Sequence, residues 1–111
     1  MSAALQSTQR ALDIRLKLYG EDHVSTADSY SELGTTQLIQ GDFPSALQSL
    51  LRALDIRRKL LGEEHPCTAD SYQLLGVTQR ELGDLSSALQ SKQRALDITR
   101  KTSLKRTPKH S

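Results

Sequence analysis

The sequence predicts an all-α fold, an α-solenoid of antiparallel helix pairs with about five helices. Three observations carry this expectation. The segment Ala53-Leu54-Asp55-Ile56-Arg57 occurs once before, as Ala11-Leu12-Asp13-Ile14-Arg15, and once after, as Ala95-Leu96-Asp97-Ile98-Thr99, each step being 42 residues. A fixed period of this size marks stacked supersecondary units that bury a continuous core between neighbours. Apolar residues keep i, i+3, i+4 spacing through most of the chain, and Gly or Pro interrupts it at corresponding places in successive copies.

The first helix is expected at residues 2–19, where Ala4, Leu5, Thr8, Ala11, Leu12, Leu16 and Tyr19 form a stripe and Gly20 stops it. Asp13 stands four residues before Lys17, the favourable orientation for a helical ion pair, and Asp55–Lys59 and Asp97–Lys101 repeat it. The acidic connector Glu21-Asp22-His23 leads to a second helix at about 24–40, with Ala27, Tyr30, Leu33, Gly34, Gln37 and Leu38 facing inward. Gly41-Asp42-Phe43-Pro44 breaks it. Pro44, tolerated in a first helical turn, opens a third helix that runs to Leu61.

Gly62 and the connector Glu63-Glu64-His65-Pro66 repeat the first link. A fourth helix at about 66–82 carries Ala69, Tyr72, Leu75 and Gly76, and a fifth at about 86–101 carries Ala88, Leu89, Ala95, Leu96 and Ile98. The expected organisation is a helical repeat domain over 1–101: an orphan helix at 2–19, a unit at 24–61 and a unit at 66–101. Residues 102–111 are polar and basic and are expected to be a disordered tail. Lys92 stands where Leu50 stood, which marks 86–101 as a candidate end cap. Leu5 and Leu12 on the orphan helix are expected to be partly exposed.

Hydrophobic residues make up 36% of the chain, with no Trp and one Phe. That is thin for one compact core but adequate for neighbour-to-neighbour burial. The single cysteine, Cys67, excludes an internal disulfide and fits a reducing, cytoplasmic setting. Residues 1–20 carry Arg10, Asp13, Arg15 and Lys17 and do not read as a signal peptide. No apolar run reaches membrane-spanning length. The net charge of +2 is a property of the tail, because residues 1–101 hold 12 Lys/Arg against 13 Asp/Glu.

Gly34 and Gly76 fall mid-helix at the same repeat position, where Gly costs about 1 kcal/mol relative to Ala. A cost met twice points to close backbone approach, with Ala4, Ala46 and Ala88 as small partners one helix away. Tyr30, Leu33, Gly34, Ala46, Leu50 and Ala53, followed by Tyr72, Leu75, Gly76, Ala88, Lys92 and Ala95, resemble the tetratricopeptide repeat, a helix-turn-helix unit. The 42-residue period resembles the longer variant of kinesin light chains and nephrocystin-like proteins. The sequence departs from the usual pattern at Gln37 and Gln79, where an aromatic is common, and at Thr8 and Lys92, where a bulky apolar residue is common.

The resemblance implies a non-catalytic protein–protein interaction scaffold, with a partner peptide held in a concave groove lined by the first helix of each unit. The corresponding positions are Asp28, Ser31, Thr35, Leu38 and Ile39 in one unit and Asp70, Gln73, Val77, Arg80 and Glu81 in the next. The first helices and connectors, residues 19–42 and 61–84, hold 10 acids and one base, whereas the second helices hold 3 acids and 11 bases. This split implies a weakly acidic groove and a peptide ligand with a basic residue near Asp28 and Asp70. The competing reading is that both aspartates only stabilise helix N-termini, and both readings stand at this point. The family's Lys/Asn carboxylate clamp has no counterpart at Ser31, Thr35, Gln73 and Val77. A self-assembling homo-oligomer, or a segment of a larger repeat protein, is the alternative to peptide binding.

Other chemistry finds little support. His65 and Cys67 are two residues apart, but the first copy offers His23 and Ser25; structural zinc wants four ligands, so no metal or cofactor is expected. No base is placed to activate Cys67, and there is no Gly-rich phosphate loop. The basic second helices lack interleaved aromatics, which disfavours single-stranded nucleic acid.

Overall fold

The structure is a computed structural model that describes residues 3–106, with side chains described through Ser103. It contains five helices: α1 (Ala3–Tyr19), α2 (Val24–Ile39), α3 (Phe43–Leu61), α4 (Pro66–Glu81) and α5 (Leu85–Arg106). Each packs against its sequence neighbours, and α2 also touches α4. The result is a layered stack of helix pairs, 53 × 36 × 21 Å overall. The pairs are α2 with α3 and α4 with α5, and α1 leans on α2 from outside.

Local chemistry sets these boundaries. The His23 ring caps α2 by accepting a hydrogen bond at Nδ1 from the Ser25 amide, 3.0 Å away, and His65 caps α4 through the Cys67 amide at 3.0 Å. Asp42 caps α3, its carboxylate accepting from the Ser45 amide at 3.3 Å. Gly41 and Gly83 follow the ends of α2 and α4 at φ of +81° and +88°, a region that side-chain-bearing residues avoid. There the Asp42 and Asp84 amides donate back to the Gln37 and Gln79 carbonyls, both at 2.9 Å.

The core is the interface of the two units. Leu50 and Leu54 from α3, Ala69, Tyr72 and Leu75 from α4, and Ala95 and Ile98 from α5 form one buried cluster. Gly34 lies so close to α3 that a Cβ there would meet Leu50 Cγ at 2.7 Å. Gly76 is less crowded: its Cβ would meet the Lys92 Cγ at 3.0 Å and the Ala88 carbonyl at 3.3 Å. Close approach therefore occurs at both glycines, but against Leu50 and the Lys92 stem as well as near the small Ala88. The departures at Gln37 and Gln79 are matched by Ser49 and Ser91, whose hydroxyls donate to the two amide oxygens at 2.7 Å. A polar pair thus replaces the aromatic contact in both units, with each serine buried and satisfied.

Several expectations change. Helix α5 continues to Arg106, so residues 102–106 are helical and not part of a disordered tail; residues 107–111 lie outside the described residues. Leu12 is buried, since it faces α2 as Leu54 faces α4, and the exposed large hydrophobic residues of α1 are Ile14, Leu18 and Tyr19. Helix α5 is not a polar end cap: its Lys92 stem lies over Gly76, whereas Leu85, Leu89 and Leu96 are exposed. The lysines Lys59 and Lys101 do not pair within their helices. Lys59 reaches Asp22 at 2.6 Å and Lys101 reaches Glu64 at 3.3 Å, because each connector folds back beside the following second helix.

Candidate functional site

The first helices α2 and α4 lie side by side, and the chemistry of this face turns on two arginines that reach it from the second helices. Arg57 grows from α3 but is buried. Its Nη2 donates to Asp28 Oδ1 on α2 at 2.9 Å. Its Nη1 donates to Ser71 Oγ at 3.0 Å and to the Cys67 carbonyl at 3.4 Å, both on α4. Arg57 therefore rivets the two first helices together, and its Nε is buried without a partner among the described residues. Arg15 on α1 repeats half of this arrangement, donating to Ser29 Oγ at 2.8 Å and the Ser25 carbonyl at 3.3 Å on α2.

Of the residues expected to line a groove, Asp28, Ser31 and Thr35 are brought together, in a shallow hollow that also includes Thr8, Arg15, Glu32, Thr36 and Arg57. Leu38 does not line this hollow; it is partly buried and packs against the core cluster. Asp70 and Gln73 are exposed on α4 and Val77 is half-buried. Arg80 and Glu81 are exposed at the far end of α4 and lie 3.9 Å apart. Ile39 is exposed at the end of α2. The five residues of α4 do not line the hollow around Asp28.

Arg15 and Arg57 were missed because the family resemblance implied a groove lined by the first helix of each unit only. A signal was available: both precede by 14 residues a serine, Ser29 and Ser71, at the same repeat position. Their presence changes the electrostatics expected for the groove. The hollow holds Asp28 and Glu32 against two guanidinium groups, so it is balanced and not acidic. Asp28 is neutralised by Arg57. Its repeat equivalent Asp70 makes no ion pair among the described residues, because Thr99 occupies the Arg57 position on α5.

The connector acids of the charge split are consumed by the second helices. In the first unit Glu21 pairs with Arg52 and accepts from the Tyr30 hydroxyl at 3.1 Å. In the second, Glu63 accepts from Arg94 at 2.6 Å, from Arg58 Nε at 2.8 Å and from the Tyr72 hydroxyl. Arg52 and Arg94 each lie 5.6 Å over the ring of Tyr30 or Tyr72, within cation–π range. The Tyr72 hydroxyl, with Arg94 and Arg58, lowers the Glu63 carboxyl from 4.5 to about 2 against the opposing effect of burial. Burial and the neighbouring Glu63 raise the Tyr72 phenol. The separation of acids and bases along the sequence thus builds straps from each connector to the next second helix.

Among the described residues no cluster of three His, Cys, Asp or Glu side chains is arranged to hold a metal, and no helix is long and apolar enough to cross a membrane. Of the two tyrosines at the repeated position, Tyr72 is buried and Tyr30 half-buried. No curated protein matches the sequence significantly. A family profile described as tetratricopeptide repeat matches residues 2–59 and again residues 38–101. Repeats of this kind are generally protein-interaction modules. With its five helices stacked as antiparallel pairs, the chain belongs to the tetratricopeptide repeat family.

Proposed function

We propose that the chain is a non-catalytic scaffold that binds a segment of a partner protein along the concave face of α2 and α4, with a basic residue of the ligand against Asp70. The observation that carries this reading is the inequality of two repeated aspartates. Asp28 already has Arg57 at 2.9 Å, whereas Asp70 is exposed with Thr99 at the corresponding position. A carboxylate on the inner face without a cation of its own offers a ligand a charge-assisted hydrogen bond. Ser31, Thr35 and Gln73 add hydrogen-bonding groups along the same face, and Val77 a small apolar contact. Two complete units give a short surface, so the affinity is modest. The 42-residue period supports placing the chain in the long-period class that includes kinesin light chains, and the unpaired Cys67 fits a cytoplasmic setting.

The test is selection of a random peptide library on the purified full chain, with Asp70→Asn and Asp28→Asn as controls. Enrichment of Lys- or Arg-containing peptides by the wild type and Asp28→Asn, and its loss in Asp70→Asn, is the expected result. Equal enrichment by all three chains would remove Asp70 from the binding surface.

A further inference from the structure

The internal repeat supplies a template for what each helix face is built to touch. On α3, Ala46, Ser49, Ala53 and Ile56 face α2 and are buried, with Ile56 2% exposed. On α5, Ala88, Ser91, Ala95 and Ile98 face α4 and are buried, with Ile98 at 0%. On α1 the corresponding residues are Ala4, Ser7, Ala11 and Ile14. Ala4, Ser7 and Ile14 are exposed, Ile14 by 50%. Among the described residues α1 packs against α2 alone, through its other face. It therefore presents an unpartnered stripe of the type that a first helix covers elsewhere in the chain.

The sequence also says which first helix fits. Residues 4–14 are identical to residues 88–98 at every position except Thr8, where α5 has Lys92. Helix α1 thus owns the side chains with which α5 holds the connector before α4: Arg10 stands for Arg94, which binds Glu63, and Lys17 for Lys101, which binds Glu64. Two of the positions where α1 differs from α5 favour it. Thr8 would lie over Gly76 in place of the Lys92 stem, whose Cγ crowds that glycine. Arg15 would stand where Thr99 stands, beside Asp70, as Arg57 stands beside Asp28.

We infer that α1 of one copy docks on α4 of a second copy, replacing that copy's α5, so that chains join head to tail into a continued stack. In the joint, Arg15 donates to Asp70 of the second copy while keeping Ser29 of its own, which reproduces both sides of the Arg57 rivet. Exchange of one element for a near-identical one is a low-cost route to association. The apolar surface exposed is conserved, since the freed α5 stripe equals the α1 stripe that becomes buried. The gain is the Arg15–Asp70 pair and the new contact of α2 with α4 across the joint. The loss is the translational freedom of the second chain, so the association is weak and concentration-dependent. This inference stands apart from peptide binding and shares with it only Asp70.

The test is the weight-average mass of the full chain by sedimentation equilibrium over a wide concentration range, with circular dichroism checking that each variant is folded. The wild type is expected to rise above monomer mass with concentration. Ile14→Glu, at a position already half exposed, is expected to abolish the rise. Thr99→Arg, which gives α5 its own partner for Asp70, is expected to weaken association about tenfold, the scale of one charge-assisted hydrogen bond. A monomer mass throughout overturns the inference. So does association that survives Ile14→Glu, or that is lost instead in Leu89→Gln, which would place the contact on the exposed face of α5. None of these readings depends on a bound peptide, so failure here leaves the groove proposal standing, and the reverse.

Discussion

Arg57 Nη2 on α3 lies 2.9 Å from Asp28 Oδ1 on α2, and the same guanidinium holds Ser71 and the Cys67 carbonyl on α4. One side chain from the second helix of a unit thereby fixes the spacing of two successive first helices. Removing it leaves the half-exposed Asp28 with solvent but strips the Ser71 hydroxyl and the Cys67 carbonyl of their donor. Arg57→Met is expected to destabilise the fold by about 2 kcal/mol, the scale of hydrogen bonds to a charged group. Arg15→Met, which lacks the acid partner, is expected to cost about half as much. Urea unfolding followed by circular dichroism checks the order.

The two mid-helix glycines are predicted to respond differently to alanine. At Gly34 the new methyl would meet Leu50, a fully buried residue, at 2.7 Å, and overpacking of this kind costs about 1–3 kcal/mol. That outweighs the helix-propensity gain of about 1 kcal/mol. At Gly76 the nearest atom belongs to the flexible Lys92 stem, so Gly76→Ala is expected to be the milder change. Thermal unfolding of the two variants side by side measures the difference.

The Glu63 strap gives the stack a defined acid sensitivity. Its carboxyl titrates lower in the folded chain, near about 2, than the ordinary 4.5. The unfolded chain therefore binds the proton first as pH falls. The stabilisation is full above about 4.5 and is lost as pH falls through about 2. Because Glu63 is about one-third exposed, solvent screening holds the effect to about 1 kcal/mol. Glu63→Gln is expected to flatten the stability profile between those limits, as read from urea midpoints at stepped pH.

The histidine caps are testable in the same assay. His23 and His65 each accept a backbone amide at 3.0 Å, a task usually given to Ser, Thr, Asp or Asn. His65→Ala is expected to cost about 1 kcal/mol and His65→Asp close to nothing.

Most of the architecture was legible in the sequence, for identifiable reasons. The 42-residue period, the apolar stripes and the Gly and Pro breaks are local signals, and they located all five helices. What escaped was the direction of long charged side chains. Arg57 can bury its stem and still place its head several ångströms away, so helix membership did not reveal that it serves the inner face. The same freedom let Lys59 and Lys101 choose connector acids over the aspartates four residues before them. At the site, Asp28 and Asp70 read alike in sequence, and only the identity of a residue 29 positions later, Arg57 or Thr99, separates them. Leu38 reads as a groove residue by repeat position, yet it packs on the core because α2 ends beside that cluster.

The most direct measurement of the central claim is a calorimetric titration of one selected basic peptide into the wild type, Asp28→Asn and Asp70→Asn, at two salt concentrations. The account predicts that Asp70→Asn weakens binding about tenfold and removes most of its salt dependence, while Asp28→Asn binds within about twofold of the wild type. Equal affinity for the wild type and Asp70→Asn, or an equal loss in both variants, would contradict it.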